Sequence, residues 1–391
     1  MGFRPIKQGR LVMRRLPARS VRAGQRHAAT RRGPTPHAGT PAAAAAPVAA
    51  GDDGYDAFWA WAARAGAESV PLFIGTRHAA PEAGGRPALR GLFAATAARA
   101  GDVLATVPFQ SACLSPGAAP FGLLPPRAVL PSPAGLRRRG VGGGEAEAQH
   151  LWLAAAVACL VAARGAGPSP TPGLGLAVSA EVEAGWGPYL DLLPAAVPPS
   201  ADVATRQRDA AAAALLTPPE QAQLAALAAA GRAEMDKLGR LLRRRAAKTR
   251  YNGVLPSPAA LEWAQRVVWS RALLLPAGCA PTMPRSIEEW AAELEETDAA
   301  ADDPSTADGG GGGGGAPMLP AMIPIMDMVN APPPGGAGNC ELATAEAVGV
   351  PHGAAARVVL RATAAVAAGD ELVAPYAVAD RPAAVLRFGF C

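Results

Sequence analysis

Met322-Ile-Pro-Ile-Met-Asp-Met-Val-Asn-Ala331, Gly369-Asp-Glu-Leu-Val-Ala-Pro-Tyr376 and Leu386-Arg-Phe-Gly-Phe-Cys391 together decide how the chain is read. The first is an apolar run that ends in Asp-x-x-Asn, with Asp327 and Asn330 as its polar residues. The second is an Ala-Gly-Asp-Glu turn leading into a short apolar segment and a lone Tyr376. The third closes on an aromatic, a glycine and a second aromatic. Pro324–Val329, Ala356–Ala362 and Glu371–Ala374 are strand candidates by composition and by the turns that bound them.

Upstream the pattern changes. Asp56–Ala63 carries Phe58, Trp59 and Trp61 on a short helix. Leu92–Ala95 and Val103–Val107 read as two short strands around Ala100-Gly101-Asp102. A Pro/Gly/Arg loop runs over 115–144, and helical periodicity dominates 145–276. Within that block Thr217-Pro-Pro-Glu220 is a helix start, with Thr as cap, Pro in the first turn and Glu three residues on. A helix from about Pro258 to Leu275 includes Trp263, Val267 and Trp269. Residues 277–316 are acidic and then glycine-only from Gly309 to Gly315, which reads as a linker or surface loop. Strands, then helices, then strands define an α+β chain.

Composition narrows the function. The chain has 391 residues, 50% of them apolar, yet aromatics make up 5%. Alanine supplies much of the apolar share, and it buries little area per residue. The net charge is +5, but residues 1–50 hold nine Arg, one Lys and no acid, which leaves the remainder at −5. An acidic body is a poor match for nucleic acid. The five cysteines (113, 159, 279, 340 and 391) have no metal-ligand spacing and suit a reducing compartment. The longest apolar run, Leu151–Val161, is shorter than the roughly 20 residues a bilayer needs, so a core helix and no membrane partner are expected.

The ordered blocks from Phe58 to Cys391 resemble SET-domain methyltransferases, in the branch typified by the Rubisco large-subunit lysine methyltransferases. Gly91-Leu92-Phe93-Ala94 with Ala100-Gly-Asp-Val-Leu104 is similar to the family's first block, whose first glycine falls here at Leu89. Without that resemblance the same residues read as a β-hairpin. Trp186-Gly-Pro-Tyr-Leu-Asp-Leu-Leu-Pro194 resembles a branch-specific string and is read as core. Ser270-Arg271-Ala272 is similar to the family's Ser-Arg-Ala, whose Arg lies by the cofactor; a solvated helix-face arginine is the other reading. Asp327-x-x-Asn330 resembles Asp-x-x-Asn-His, with Ala331 in place of the histidine; a turn or cap aspartate is the alternative. Phe388-Gly-Phe390 is similar to Tyr-Gly-Phe.

The resemblance implies a SET domain of short β-sheets interrupted by a large α-helical insert. Its first part would occupy 55–114, its insert 145–276 and its catalytic part 317–391. It implies S-adenosylmethionine as cofactor and a protein substrate with an accessible lysine, with no metal. Gly91, Leu92, Ser270, Arg271, Asp327, Asn330 and Ala331 would hold the cofactor. Tyr376 would be catalytic, and Phe388 would line the lysine channel. The alternative is a SET-like binding protein without efficient turnover.

Residues 1–50 read as an organelle transit peptide, for a chloroplast or alternatively a mitochondrion, or else as a basic tail that binds an acidic partner. Fused to a fluorescent protein, residues 1–55 are expected to send the reporter into the organelle and to be removed there. A reporter that stays cytosolic and intact contradicts this.

Overall fold

The computed structural model describes residues 54–77, 89–118, 123–165, 175–194, 213–276, 318–332, 336–344 and 356–375. The basic segment 1–50, the glycine run, Tyr376 and Phe388 lie outside the described residues. The architecture is α+β, with small antiparallel sheets beside a group of helices.

A four-stranded sheet has the order β1 (Glu68–Ser69), β4 (Val103–Pro108), β8 (Arg357–Ala362), β7 (Cys340–Thr344). Its inner strands are near-continuously apolar and buried, as strands covered on both faces must be. β2 (Leu72–Arg77) pairs with β3 (Leu89–Ala94), with Phe73 opposite Phe93 and their rings stacked at 5.3 Å. β5 (Leu273–Pro276) pairs with β6 (Met318–Ala321).

Among the described residues the helices are α1 (Asp56–Arg64), α2 (Phe109–Ala112), α3 (Pro133–Arg138), α4 (Glu145–Gly165), α5 (Gly175–Leu190), α6 (Pro218–Thr249) and α7 (Pro258–Arg271). Local chemistry sets several of their ends. The Glu220 carboxylate accepts from the Thr217 backbone N–H and hydroxyl, both at 2.8 Å, and so fixes the start of α6. The Ser257 hydroxyl accepts from Ala260 N–H at 3.1 Å at the start of α7. Arg250 ends α6 in the left-handed conformation, with φ 53°.

α4 runs through the middle of the helices and packs on α3, α5, α7 and β6. It spans 21 residues, longer than the apolar run suggested, and by length and composition it could cross a membrane. Two thirds of its most apolar window, 67%, is buried inside the fold, however, which makes it a core helix here.

Three sequence expectations change. First, β3 and β4 do not form a hairpin. The residues between them pair instead with the C-terminal chain: Ala98 and Val366 exchange hydrogen bonds at 2.9 Å, and Gly101 N–H donates to Ala362 O at 2.8 Å. Gly101 takes φ 93°, a conformation that favours glycine. Second, 324–329 is not a strand. Ile325 takes φ 73°, which breaks the extended chain, and Met326–Met328 form a 3₁₀ turn. The run is apolar throughout, so periodicity could not tell the two apart. Third, α7 stops at Arg271 and the chain turns into β5, so Ser270–Ala272 mark a helix end. Glu371–Ala374 forms no regular strand; it makes the isolated bridges Phe93↔Glu371 and Asn330↔Val373 and single hydrogen bonds such as Ala374 N–H to Asn330 O at 2.9 Å.

Sequence averages also hid a concentration of charge. Arg240, Arg243, Arg244 and Lys248 are exposed on the second half of α6. Arg245 ties that helix to the loop below by donating to Ala128 O at 2.7 Å and Arg127 O at 3.1 Å.

Leu360, fully buried on inner strand β8, tests the sheet. Leu360→Ala is expected to destabilise by about 2–5 kcal/mol, the usual range for a buried leucine that leaves a cavity. Urea unfolding should show a lower midpoint with an unchanged slope. A change under about 0.5 kcal/mol, typical of a surface site, would remove Leu360 from the core.

Candidate functional site

Trp61, on α1, stacks on Tyr189 at 5.8 Å with 13° between ring planes, and Trp186 meets Tyr189 edge-on at 5.9 Å. The Trp61 indole N–H also donates to Gly185 O. This aromatic group holds the Tyr189 hydroxyl against the 3₁₀ turn, where it donates to Asp327 Oδ2 at 2.9 Å.

Arg271, in the last turn of α7, comes from the other side. Its Nη1 donates to Asp327 O at 3.2 Å and lies 3.4 Å from Oδ2. A guanidinium at a helix C-terminus also answers the partial negative charge there. The Asp327 side chain is 0% exposed and that of Arg271 is 17% exposed. Burial raises the Asp327 carboxyl above its ordinary 3.8; Arg271, the Tyr189 hydrogen bond and the Arg90 charge oppose that rise. The Tyr189 hydroxyl is pushed well above its ordinary range, chiefly by burial and then by the Asp327 charge. Among the described residues three buried side-chain polar atoms have no hydrogen-bond partner, two of them here, Asp327 Oδ1 and Arg90 Nε, and Gln149 Oε1 elsewhere.

Three residues further on, Asn330 Nδ2 donates to Arg90 O at 3.0 Å and to Glu371 Oε1 at 2.7 Å. Gly91 lies directly beneath. A Cβ added there would stand 2.6 Å from Glu371 Oε1 and 2.9 Å from Asn330 Nδ2, so the close approach needs glycine. Asn339 locks the other side. Its Nδ2 donates to Glu371 O at 2.8 Å, and its Oδ1 accepts from Val373 N–H at 2.8 Å. Arg90 links the two groups: its carbonyl meets Asn330, and its guanidinium donates to Leu192 O and faces the Asp327 charge.

Of the residues singled out in sequence, Gly91 and Asn330 adjoin, and Arg271 and Asp327 pair. Leu92 is buried, and its carbonyl accepts from Leu372 N–H at 2.7 Å. The Ser270 hydroxyl turns back to Val267 O at 3.0 Å. Ala331 is half-buried at the end of the turn. Tyr376 and Phe388 lie outside the described residues. Motif reading passed over Tyr189 as core, Glu371 as part of a turn, and Arg90 and Asn339 altogether. The signal for Tyr189 was a hydroxyl inside an apolar string, since a buried phenol needs a partner.

The groups that meet among the described residues are suited to polar binding. Burial pushes the Cys159 and Cys340 thiols up to about 12 and raises Cys113 further, so these three, the cysteines among the described residues, supply no thiolate near neutrality. Among the described residues no group of three or more His, Cys, Asp or Glu gathers. What gathers is a guanidinium, an amide acceptor at Asn330 Oδ1 and a glycine-floored approach. These are the groups a zwitterionic ligand needs.

No protein-family model matches the chain, and no curated protein matches it. Among solved structures it is similar to the crystal structure of the SET domain of LSMT bound to lysine and AdoHcy, with 14% identity and a TM-score of 0.43. The likeness covers 85% of this chain and spans 56% of that one, and it is too slight to carry weight for the function.

Tyr189→Phe probes the buried carboxylate. The folded Asp327 carboxyl is raised above its unfolded value, so its contribution to stability is largest below about pH 4 and falls as pH rises through the raised value. The Tyr189 hydrogen bond favours the anion and limits that fall. Losing it is expected to destabilise by roughly 1.5–3 kcal/mol at pH 7, the range for a bond to a charged group. The loss should shrink as the pH falls through the raised folded value, where Asp327 becomes protonated. A loss that does not vary with pH would mean that Tyr189 acts through packing alone.

Proposed function

We propose that the chain is an S-adenosylmethionine-dependent protein-lysine N-methyltransferase with a SET-type fold. One observation carries this reading. Gly91, Arg271 and Asp327–Asn330, three blocks far apart in sequence that resemble the family's cofactor motifs, meet around two hydrogen-bond networks joined by Arg90.

The residues present fit such a cofactor. Arg271 is a planar guanidinium suited to its carboxylate. Asn330 Oδ1 is an acceptor for its N–H groups. Gly91 removes the side chain that would block close approach, and Leu92 and Ala331 flank that approach. When bound, the cofactor supplies a methyl group on a positively charged sulfur.

The protein's part is to prepare the amine. A lysine ammonium has no lone pair and must lose its proton first, which a dry channel would favour by lowering the amine's pKa; the family resemblance would assign Phe388 to that channel. By the same resemblance Tyr376 would hydrogen-bond the neutral amine and orient it for transfer. The substrate is a protein with an accessible lysine, in a chloroplast if residues 1–50 are a plastid transit peptide. Leu89 and Ala331, which replace a glycine and a histidine of the family motifs, favour a second reading as a binding protein with little turnover.

The test pairs calorimetry of S-adenosylmethionine binding with tritium transfer from labelled cofactor to a stromal extract. Arg271→Ala and Asn330→Ala, each checked for folding by circular dichroism, are expected to weaken binding at least tenfold, since a charge-assisted bond is worth roughly 1.5–3 kcal/mol. Tyr376→Phe should keep affinity and slow labelling by about one to two decades, as an interaction made mainly in the transition state does. Binding without labelling by the unaltered protein supports the second reading. No binding at all removes both.

A further inference from the structure

We propose that Glu371 is a positioning residue that fixes the Asn330 amide with both N–H donors turned into the protein, so that Oδ1 alone meets the ligand and selects an N–H donor. The proposal rests on the cofactor reading above and goes further, to the residue that sets how the site reads its ligand.

A primary amide has two donors and an acceptor, and either end can face a ligand. Here the choice is settled by the surroundings. Both atoms near Nδ2 are acceptors with no proton to give, the Arg90 carbonyl at 3.0 Å and the Glu371 carboxylate at 2.7 Å. Turning the amide over would set its oxygen against both. Nδ2 has two protons and both are used. Among the described residues no donor reaches Oδ1, and Asn330 is only half-buried.

Glu371 is itself fixed from three sides. Its carbonyl accepts from Asn339 Nδ2 at 2.8 Å, its backbone bridges to Phe93, and the next residue donates from Leu372 N to Leu92 O at 2.7 Å. The carboxylate reaches Asn330 through the space that Gly91 leaves, 2.6 Å from where a Cβ would stand. Glycine at 91, the acid at 371 and the amide at 330 therefore work as one device. Its output is an outward-facing amide acceptor at Asn330 Oδ1, which suits an amine and rejects a carbonyl or carboxylate.

S-adenosylhomocysteine offers two such amines, the α-amino group and the exocyclic amine of adenine. Calorimetry should compare it with two analogues, one lacking the α-amino group and one carrying inosine in place of adenosine. The full-length protein is expected to favour S-adenosylhomocysteine over one analogue by at least tenfold, and the disfavoured analogue names the amine that Oδ1 meets. Glu371→Ala should cut that preference to within about threefold, because the amide is then free to turn. Glu371→Gln can still accept from Nδ2 and should keep most of it. Gly91→Ala, which displaces the carboxylate, should behave like Glu371→Ala.

Equal weakening of all three ligands by Glu371→Ala would make Glu371 a structural residue only and overturn the proposal, as would an unchanged preference. A second measurement does not need the ligand. The Asn330 side-chain amide protons, followed by nuclear magnetic resonance, should exchange slowly in the unaltered protein and fast in Glu371→Ala. If the unaltered protein binds none of the three ligands, the cofactor reading falls, and ligand selection by Asn330 Oδ1 falls with it. Amide exchange then still decides the Glu371 contact, and fast exchange in the unaltered protein would overturn that too.

Discussion

Burying the Asp327 carboxylate is unfavourable by itself, and the elements that meet there are arranged to answer it. α5 brings a phenol, α7 ends on a guanidinium, and β3 adds the Arg90 charge. Such a group contributes little net stability, because desolvation offsets most of the attraction. Removing the Arg271 guanidinium is a different matter, because breaking a buried ion pair typically destabilises by about 3–5 kcal/mol. The arrangement therefore fixes geometry more than it adds stability. It sets where α7 ends relative to the 3₁₀ turn, and so where Arg271 and Asn330 stand. Ile325 serves the same turn at a local cost, because a β-branched residue with φ 73° is strained.

What could be read from the sequence was what is encoded locally. The start of α6 was legible because Thr217, the two prolines and Glu220 act within one turn. The helix around Phe58 and Trp61 was legible because its apolar spacing is short-range. The cofactor-like blocks at Gly91, Arg271 and Asp327–Asn330 were legible only through resemblance. Nothing in their own spacing says that they meet.

The rest was set by partners remote in sequence. β4 seemed half of a hairpin with β3 because both flank a good turn, but the turn is satisfied by residues 362–366. Glu371 looked like a turn acid because its role depends on the absent side chain at Gly91. Tyr189 looked like core, and it is; sequence could not show that its hydroxyl ends on Asp327, 138 positions away. The cations of α6 were averaged away by acids elsewhere in the chain.

The order of strands in the main sheet also bears on how the molecule comes to be folded. β4 lies between β1 and β8, and Arg357 reaches back to Thr106 across 251 positions. Closing so long a loop is entropically slow, and chains dominated by remote pairings fold more slowly than chains with local ones. During synthesis β1 and β4 emerge early but leave one long edge bare until residue 362 has been made. An unpaired, apolar strand edge invites pairing with other chains. The helices between β4 and β5 are mostly local structures and can form in that interval, so the helical half can be in place well before the four-stranded sheet is complete.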